Sequence, residues 1–231
     1  LWAIEMPIRT VGEYLKRWGF TPQKPLRKAY EQNPKAVKKW LDEQYPTIAR
    51  RAKKEKAQIQ WADETGLCND SQHGRSYAPR GKTPAIHLPA NRKRINLISS
   101  ITNQSKVRFM IYKDTMNAMT FIKFMKRLTK DTSQKIFLIL DNLRSHHSKP
   151  VGEWLEDHQQ QIEVFFLPSY SPELNPDEYL NRDLKLNVHK GTPARTKSQL
   201  KRKTIGHLRK LQKLPKRVMR YFKNPNIVYA S

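Results

Sequence analysis

The chain of 231 residues predicts an α/β fold in which a mixed sheet is flanked by helices. Residues 58–63 alternate between polar and apolar side chains, as a half-buried strand does. Residues 94–102 and 106–112 flank a short Asn-Gln-Ser segment and predict a β-hairpin. Residues 136–140 form an unbroken apolar run that ends at Asp141, which is typical of a central strand covered on both faces.

Helices alternate with the later strands. Residues 117–130 predict a helix whose apolar side comprises Met119, Ile122, Phe124, Met125 and Leu128. The sequence then predicts a helix over about 151–160, a strand over 162–167 and a helix over about 175–188. Earlier in the chain, residues 64–66 are predicted to form a turn that ends the first strand. The order strand, strand, strand, helix, strand, helix, strand, helix is that of a ribonuclease H type sandwich.

The N-terminal part predicts short helices. Val11, Tyr14, Leu15 and Trp18 recur at helical spacing, with Thr10 as N-cap and Gly19 as the stop. A linker over 21–25, a helix over 35–44 and a third helix from Pro46 into the basic run 50–56 follow. We therefore divide the chain into an N-terminal helical segment (1–56), a core (57–190) and a basic C-terminal helical segment (191–231).

The net charge of +25 lies mainly outside the core. Residues 16–57 carry 13 Lys and Arg against four acids, and residues 182–231 carry 15 against one, whereas residues 58–181 carry 16 against 13. Basic flanks around a balanced core favour a polyanionic partner, DNA or RNA. The charge distribution alone does not exclude a basic nucleic-acid-binding protein of the ribosomal type that has no enzymatic activity.

Several classes of protein are excluded by what the sequence lacks. No run reaches the roughly 18–20 apolar residues that a membrane helix needs, and no signal peptide opens the sequence, so we expect a soluble cytoplasmic protein with no membrane partner. A lone cysteine, Cys68, excludes a disulfide framework and a cysteine-rich zinc site.

Two aspartates stand at the ends of predicted strands. Asp63 shares a strand face with Ile59 and Trp61, and Asp141 ends the apolar run. Ligand sites of open α/β sheets lie at the carboxyl ends of strands, so both are candidate ligands. The competing interpretations are that Asp63 belongs to a turn after the strand and that Asp141 faces solvent at the end of its strand.

A third acid, Glu178, stands at the start of the predicted helix over 175–188. Asn175 as N-cap, Pro176 at the first helical position and Glu178 at the third would form a capping box, which is its structural interpretation. The same helix face then presents Arg182 and Lys185, cations suited to a DNA backbone. That pattern favours a functional role for Glu178.

Three converging carboxylates repel one another unless a cation lies among them. Oxygen ligands without Cys suit Mg²⁺ or Mn²⁺ rather than zinc. We expect two such ions, the arrangement that serves phosphodiester displacement. The chemistry indicated is that of a nuclease or a strand transferase.

Three blocks resemble those of bacterial insertion-sequence transposases in the mariner superfamily, which are DDE transposases with a ribonuclease H-like catalytic domain. They are Trp-Ala-Asp-Glu (61–64), Leu-Ile-Leu-Asp-Asn-Leu-Arg-Ser-His-His-Ser (138–148) and Leu-Pro-Ser-Tyr-Ser-Pro-Glu-Leu-Asn-Pro-Asp-Glu (167–178). The 36 residues between Asp141 and Glu178 are near the spacing typical of these enzymes.

The resemblance implies site residues. Asp63, Asp141 and Glu178 correspond to the metal-binding catalytic triad, with Asn142 and His147 as accessory positions; a core or capping role for His147 also stays open. The segment 77–84 is similar to the family and implies DNA contacts at Arg80 and Lys82, unless it is a solvated hairpin. The chain departs from the family at Asp177 and Asn181, so Asp177 and Glu173 are alternative ligands.

The N-terminus resembles part of the family's winged helix-turn-helix domain. Residues 10–19 would be the recognition helix, with Thr10, Glu13, Lys16 and Arg17 against DNA. Because the sequence starts at Leu1 inside that domain, residues 1–56 are expected to be the remnant of a truncated one.

The resemblance implies a transposase that binds terminal inverted repeats as a dimer, cuts double-stranded DNA with Mg²⁺ or Mn²⁺, and joins the ends to a target site, acting at the bacterial nucleoid. The alternative is a truncated or degenerate transposase that only binds DNA. A nuclease acting on RNA hybrids is a third interpretation.

Overall fold

The computed structural model describes residues 5–22, 29–70, 77–83, 85 and 87–231. It divides into two compact units, with the boundary between Tyr30 and Glu31. Within the described residues, no helix is both long and apolar enough to cross a membrane.

The first unit contains one described helix, α1 (Ile8–Arg17). It follows Pro7 and therefore begins earlier than predicted, so Thr10 lies inside the helix and is not its N-cap. The predicted stop is confirmed, because Gly19 adopts a φ of +82°, which glycine tolerates best. The predicted apolar stripe on α1 is exposed to solvent at all four positions, Val11, Tyr14, Leu15 and Trp18. Most of the predicted linker, residues 23–25, lies outside the described part of the chain.

The second unit is built on one five-stranded sheet with strand order β3-β2-β1-β4-β5. The strands are β1 (Gln58–Cys68), β2 (Arg94–Ile101), β3 (Val107–Tyr112), β4 (Ile136–Leu140) and β5 (Ile162–Phe166). β1, β2 and β3 pair antiparallel, whereas β4 and β5 extend the sheet from β1 in parallel. The predicted mixed sheet, hairpin and alternation of strands with helices are confirmed.

Helices cover both faces of the sheet, each over its own apolar cluster. On one face, α4 (Ala118–Lys130) and α5 (Lys149–Asp157) pack through residues such as Phe121, Phe124 and Val151. On the other face lie α3 (Tyr45–Glu55), α6 (Asp177–Val188), α7 (Lys197–Gln212) and α8 (Pro215–Tyr221). β1 lies at the centre of the sheet and contributes Trp61 to one cluster and Ala62 to the other.

The predictions for the end of β1 and for the inner side of α4 were wrong. Residues 64–66 do not turn out of β1, because antiparallel pairing with β2 continues as far as Cys68 opposite Arg94. Met119 is not part of the inner side of α4 and is 71% exposed. Phe121 takes that place, and Met119 lies almost opposite it around the helix at 3.6 residues per turn.

The helices before β1 belong to the same compact unit as the sheet. α2 (Pro34–Lys39), a wider turn over Trp40–Gln44 and α3 form one continuous helical run, where we predicted two helices. Asn33 caps its start by accepting hydrogen bonds from two backbone N–H groups. Trp40, Tyr45 and Ile48 are buried in the cluster that contains Trp61, so the predicted domain boundary at 56/57 falls inside the second unit.

The C-terminal helices also belong to this unit, so the predicted boundary at 190/191 falls inside it as well. α7 and α8 bury Leu208 and Val218 in the cluster beneath the sheet. Asp183 of α6 joins them, because its carboxylate accepts from His207 at 2.8 Å, Arg217 at 2.7 Å and Tyr221 at 2.7 Å.

We expect Asp183→Asn to lower the free energy of unfolding by about 1–3 kcal/mol, because three donors lose a charged acceptor. Burial raises the pKa of Asp183, but the hydrogen bonds from His207, Arg217 and Tyr221 outweigh burial and hold it well below its usual value. A depressed pKa contributes stability that is complete above the unfolded value of about 3.9 and is lost as the pH falls below it. Urea unfolding should therefore show a constant advantage of the wild type at pH 5 and above and a shrinking one below about pH 4. An advantage that does not change with pH would contradict this assignment.

Candidate active site

The candidate site lies where β1 and β4 run side by side at the centre of the sheet. The two strands are parallel, with Trp61 opposite Ile139, and two further steps along that register place Asp63 next to Asp141. Asp63 and Glu64 follow each other in β1, so their side chains point to opposite faces of the sheet. The strand-end prediction therefore holds for Asp141, which directly follows β4, whereas Asp63 lies inside a longer β1.

Asn175 anchors the start of α6 against β1. Its side-chain Nδ2 donates to the backbone carbonyl of Ala62 at 2.8 Å, and its Oδ1 accepts from the backbone N–H of Asp177 at 3.0 Å. Glu178 is not part of the predicted capping box: the backbone N–H of Asn175, which Glu178 would have to bind, donates to the carbonyl of Pro172. The capping interpretation of Glu178 is thus wrong, and its carboxylate is available for other contacts.

A cleft of about 350 Å³ opens at this point, and the three acids predicted from the sequence line it together. The loop after β5 forms its other wall and includes Tyr170, whose φ of +57° is unusual for a residue with a side chain. The lining residues are Asp63, Asp141, Asn142, Leu143, Leu167, Pro168, Ser169, Tyr170, Ser171, Pro172, Asn175 and Glu178.

Burial and mutual repulsion raise the pKa values of these acids. For Asp63 burial is the largest cause, followed by the charge of Glu178, and together they raise its pKa well above the usual value. Burial also raises the pKa of Asp141, against a hydrogen bond from the backbone of Leu143. It raises that of Glu178 too, against the charge of Lys185. Such carboxylates take up either protons or a cation.

Two further side chains of α6 approach the same strands. Asn181 is fully buried, and its Nδ2 donates to Asp63 Oδ2 at 2.8 Å, which fixes one oxygen of that carboxylate. Asp177 is also fully buried, and its Oδ2 accepts from Ser99 Oγ at 2.6 Å. Asp177 is absent from the cleft lining, and burial raises its pKa well above the usual value. Both positions depart from the family pattern, and both make buried polar contacts here.

Glu173, the other alternative ligand, has a partner of its own. Its Oε1 accepts from Gln32 Nε2 at 2.7 Å. It lies beside Glu178, Tyr179 and Arg182 in a shallower depression next to the cleft.

The structure also brings in two residues that were not among the candidates, Glu64 and His146. His146 Nε2 lies 3.2 Å from Glu64 Oε1 and 3.6 Å from Asp141 Oδ1. Burial, then the charge of His147, lowers the pKa of His146 to about 4, so the imidazole is neutral at neutral pH. Burial and the charge of Asp141 raise the pKa of Glu64 to about 8, against a hydrogen bond from its own backbone. The sequence does show these residues as neighbours of the candidates, in the pairs Asp63-Glu64 and His146-His147. The sequence pattern alone does not show which residue of each pair faces the site.

Asn142 lines the cleft, and His147 lies against it. His147 Nε2 contacts Asn142 Oδ1, and Asn142 Nδ2 donates to Ser169 Oγ at 3.3 Å. The ring of His147 packs on Phe166, with centroids 4.1 Å apart. These contacts connect the segment after β4 to the loop after β5.

The candidate DNA-binding residues lie on separate elements. Thr10, Glu13, Lys16 and Arg17 belong to α1, where Glu13 pairs with Arg9 at 3.6 Å. Arg80 and Lys82 lie in an exposed turn around Gly81. Arg182 and Lys185 are exposed on α6, the helix that carries Glu178.

Comparison with family models decides the classification. Residues 58–201, more than half of the chain, match the model described as DDE superfamily endonuclease. The chain belongs to the DDE endonuclease superfamily. Residues 1–44 match a second model, described as winged helix-turn helix. The predicted DDE family and helix-turn-helix domain are confirmed, and the residues matched by the DDE model include Asp63, Asp141 and Glu178.

Solved structures show the same fold. The crystal structure of the mariner Mos1 paired end complex with Mg is 16% identical with a TM-score of 0.66, covering 96% of this chain and 71% of that one. The Mos1 strand transfer complex is 19% identical with a TM-score of 0.61, at 96% and 70% coverage. The catalytic domain of Mos1 mariner transposase is 16% identical with a TM-score of 0.57, at 86% and 95% coverage. The predicted ribonuclease H-like fold is thereby confirmed. No curated protein matches this sequence.

We expect Asn175→Ala to lower the free energy of unfolding by about 1–3 kcal/mol, because the carbonyl of Ala62 and the N–H of Asp177 would stay buried without their partner. Asn226→Ala, at an exposed position, is the matched control and should change stability little. Urea denaturation of both variants measures the difference. Equal stability of the two variants would show that Asn175 does not anchor α6.

Proposed function

We propose that this DDE endonuclease is a transposase that binds the terminal inverted repeats of its own element, cuts double-stranded DNA there and joins the 3′ ends to a target site. The observation that supports it most is the cleft in which Asp63, Asp141 and Glu178, raised in pKa by burial, lie together. The solved relatives are described as paired-end and strand transfer complexes of a transposase, which supports the same activity for this chain.

The three acids fit a divalent cation, and we infer that they hold Mg²⁺ or Mn²⁺, two ions in all. Hard oxygen donors that are removed from water suit these ions. When bound, paired ions activate the attacking hydroxyl and stabilise the leaving oxygen in phosphodiester displacement. Asn181 keeps the carboxylate of Asp63 oriented, and Lys185 offsets part of the charge at Glu178.

Glu178 is our choice for the third ligand over Asp177 and Glu173. It lines the cleft and raises the pKa of both Asp63 and Asp141, which places its charge near both. Asp177 is shielded from the cleft by complete burial and accepts from Ser99. Glu173 accepts from Gln32.

The basic segments suit the proposed partner. In residues 182–231 the single acid, Asp183, is enclosed by His207, Arg217 and Tyr221, so its charge is neutralised locally. The remaining Lys and Arg side chains of α7 and α8 therefore add to one positive field, which favours a DNA backbone. The winged helix-turn helix match supports DNA contact by α1 through Thr10, Glu13, Lys16 and Arg17. We infer that a dimer holds the two ends, with Arg80, Lys82, Arg182 and Lys185 as further DNA contacts.

A protein that binds DNA without cutting it is the alternative, and it is not favoured. Loss of catalysis would remove the pressure to keep acids in a buried and mutually repulsive arrangement, which costs stability. All three acids are present and share one cleft.

We expect Asp141→Asn to abolish cleavage, by more than about 100-fold, because a cation ligand is lost. The assay uses a labelled duplex spanning an end of the encoding element, with Mg²⁺. Binding, measured by mobility shift, should stay unchanged. Asp157→Asn, an exposed aspartate at the end of α5, is the matched control and should cut like the wild type. Undiminished cutting by Asp141→Asn would contradict the proposed function.

A second pair of variants separates the adjacent acids. We expect Glu178→Gln to lose cleavage by more than about 100-fold and Asp177→Asn to keep it within about threefold, because an amide can still accept from Ser99. The same nicking assay compares them, with thermal unfolding to check that both are folded. The reverse order of activities would make Asp177 the third ligand.

A further inference from the structure

Glu64, Asp141 and His146 converge on the side of β1 that faces α4 and α5. One atom from each side chain, Glu64 Oε1, Asp141 Oδ1 and His146 Nε2, lies within 4.8 Å of the other two. Of the predicted catalytic acids, only Asp141 belongs to this group. The ring of His146 packs edge-on against Phe121, with centroids 4.3 Å apart, and thus stands in the apolar cluster of that face.

These polar atoms are buried and unsatisfied. His146 is 2% exposed. Among the described residues, Glu64 Oε1, Asp141 Oδ1 and both ring nitrogens of His146 have no hydrogen-bond partner, since the 3.2 Å contact is not aligned for one. Leaving a buried polar atom without a partner costs about 1–3 kcal/mol for each atom. Three of these atoms, Glu64 Oε1, Asp141 Oδ1 and His146 Nε2, converge on one point, and such a group is explained by a water or an ion held among them.

The two distances from His146 Nε2 to the carboxylate oxygens fit a bound cation. Metal bonds to carboxylate oxygen and imidazole nitrogen are roughly 2.0–2.2 Å long. Neighbouring ligands at angles between 90° and the tetrahedral value then lie about 2.8–3.6 Å apart. The observed distances from His146 Nε2, 3.2 and 3.6 Å, lie in that range.

We propose that Glu64, Asp141 and His146 form a second cation site behind the cleft, which takes a divalent transition metal such as Mn²⁺ or Zn²⁺ in preference to Mg²⁺. The imidazole supplies this preference, because Mg²⁺ favours oxygen ligands whereas Mn²⁺ and Zn²⁺ accept nitrogen more readily. The assignment rests on the geometry of these three side chains and does not require the proposed transposase activity.

Asp141 connects the two sites. Its Oδ1 is buried on the side of His146, yet its side chain is 43% exposed and lines the cleft, so the exposed part of the carboxylate faces the catalytic acids. A cation bound to Oδ1 would hold the carboxylate of Asp141 from behind. His146 and Glu64 are positioning residues in this arrangement.

The test uses the full-length protein with substoichiometric Mn²⁺ and an excess of Mg²⁺. The Mg²⁺ occupies the cleft, whose ligands are all oxygen atoms, and leaves the Mn²⁺ to the second site. Pulsed EPR detects the ¹⁴N nucleus of an imidazole bound directly to Mn²⁺. We expect this coupling in the wild type and its replacement by a ¹⁵N coupling after labelling with ¹⁵N-histidine. His146→Gln should lose it, and the matched control His147→Gln should keep it.

Because His146 is buried, thermal unfolding checks that His146→Gln is folded, and Glu64→Gln offers an independent variant. We expect Glu64→Gln to weaken Mn²⁺ binding at least about tenfold while a ¹⁴N coupling persists at saturation. Absence of a ¹⁴N coupling in the wild type, or its loss in His147→Gln instead, would overturn the proposal. If either result were obtained while Mg²⁺-dependent nicking continued, the second cation site would be disproved and the proposed transposase activity would stand. If nicking were absent while the ¹⁴N coupling was observed, the proposed transposase activity would be disproved and the second cation site would stand.

Discussion

Five carboxylates crowd together at the centre of one sheet, and the surrounding helices are arranged to hold them there. Asp63, Glu64, Asp141, Asp177 and Glu178 all have pKa values raised by burial as the largest cause. No Lys or Arg of the described residues forms an ion pair with any of them. Charges in such a place must be neutralised by protons or by bound cations. The fold therefore keeps a strongly acidic centre inside a strongly basic chain.

The scaffold keeps these acids in place through polar contacts that cross elements. Asn175 joins the start of α6 to β1, and Asn181 of the same helix holds Asp63. Further along α6, Asp183 gathers donors from α7 and α8. One helix thus presents Glu178 to the cleft, orients a second acid and ties the basic C-terminal helices to the core. This explains why the C-terminal segment is not a separate domain.

Much of the fold and of the site could be predicted from the sequence, and the misses have physical causes. The succession of strands and helices follows from apolar runs, and the three acids that line the cleft follow from the motif blocks; both are local signals. The choice between His146 and His147 could not be made, because burial of one neighbour depends on packing against Phe121, far away in sequence. The length of β1 was underestimated because pairing with β2 keeps polar Glu64 and Thr65 in the strand.

Locating the bound ions would decide whether Asp63, Asp141 and Glu178 form the metal centre. Anomalous diffraction from crystals of the full chain soaked in Mn²⁺ would show which carboxylates bind them. We expect density in the cleft within bonding distance of Asp63, Asp141 and Glu178. An empty cleft at saturating Mn²⁺, or ions held by Asp177 or Glu173 in place of Glu178, would contradict the assignment.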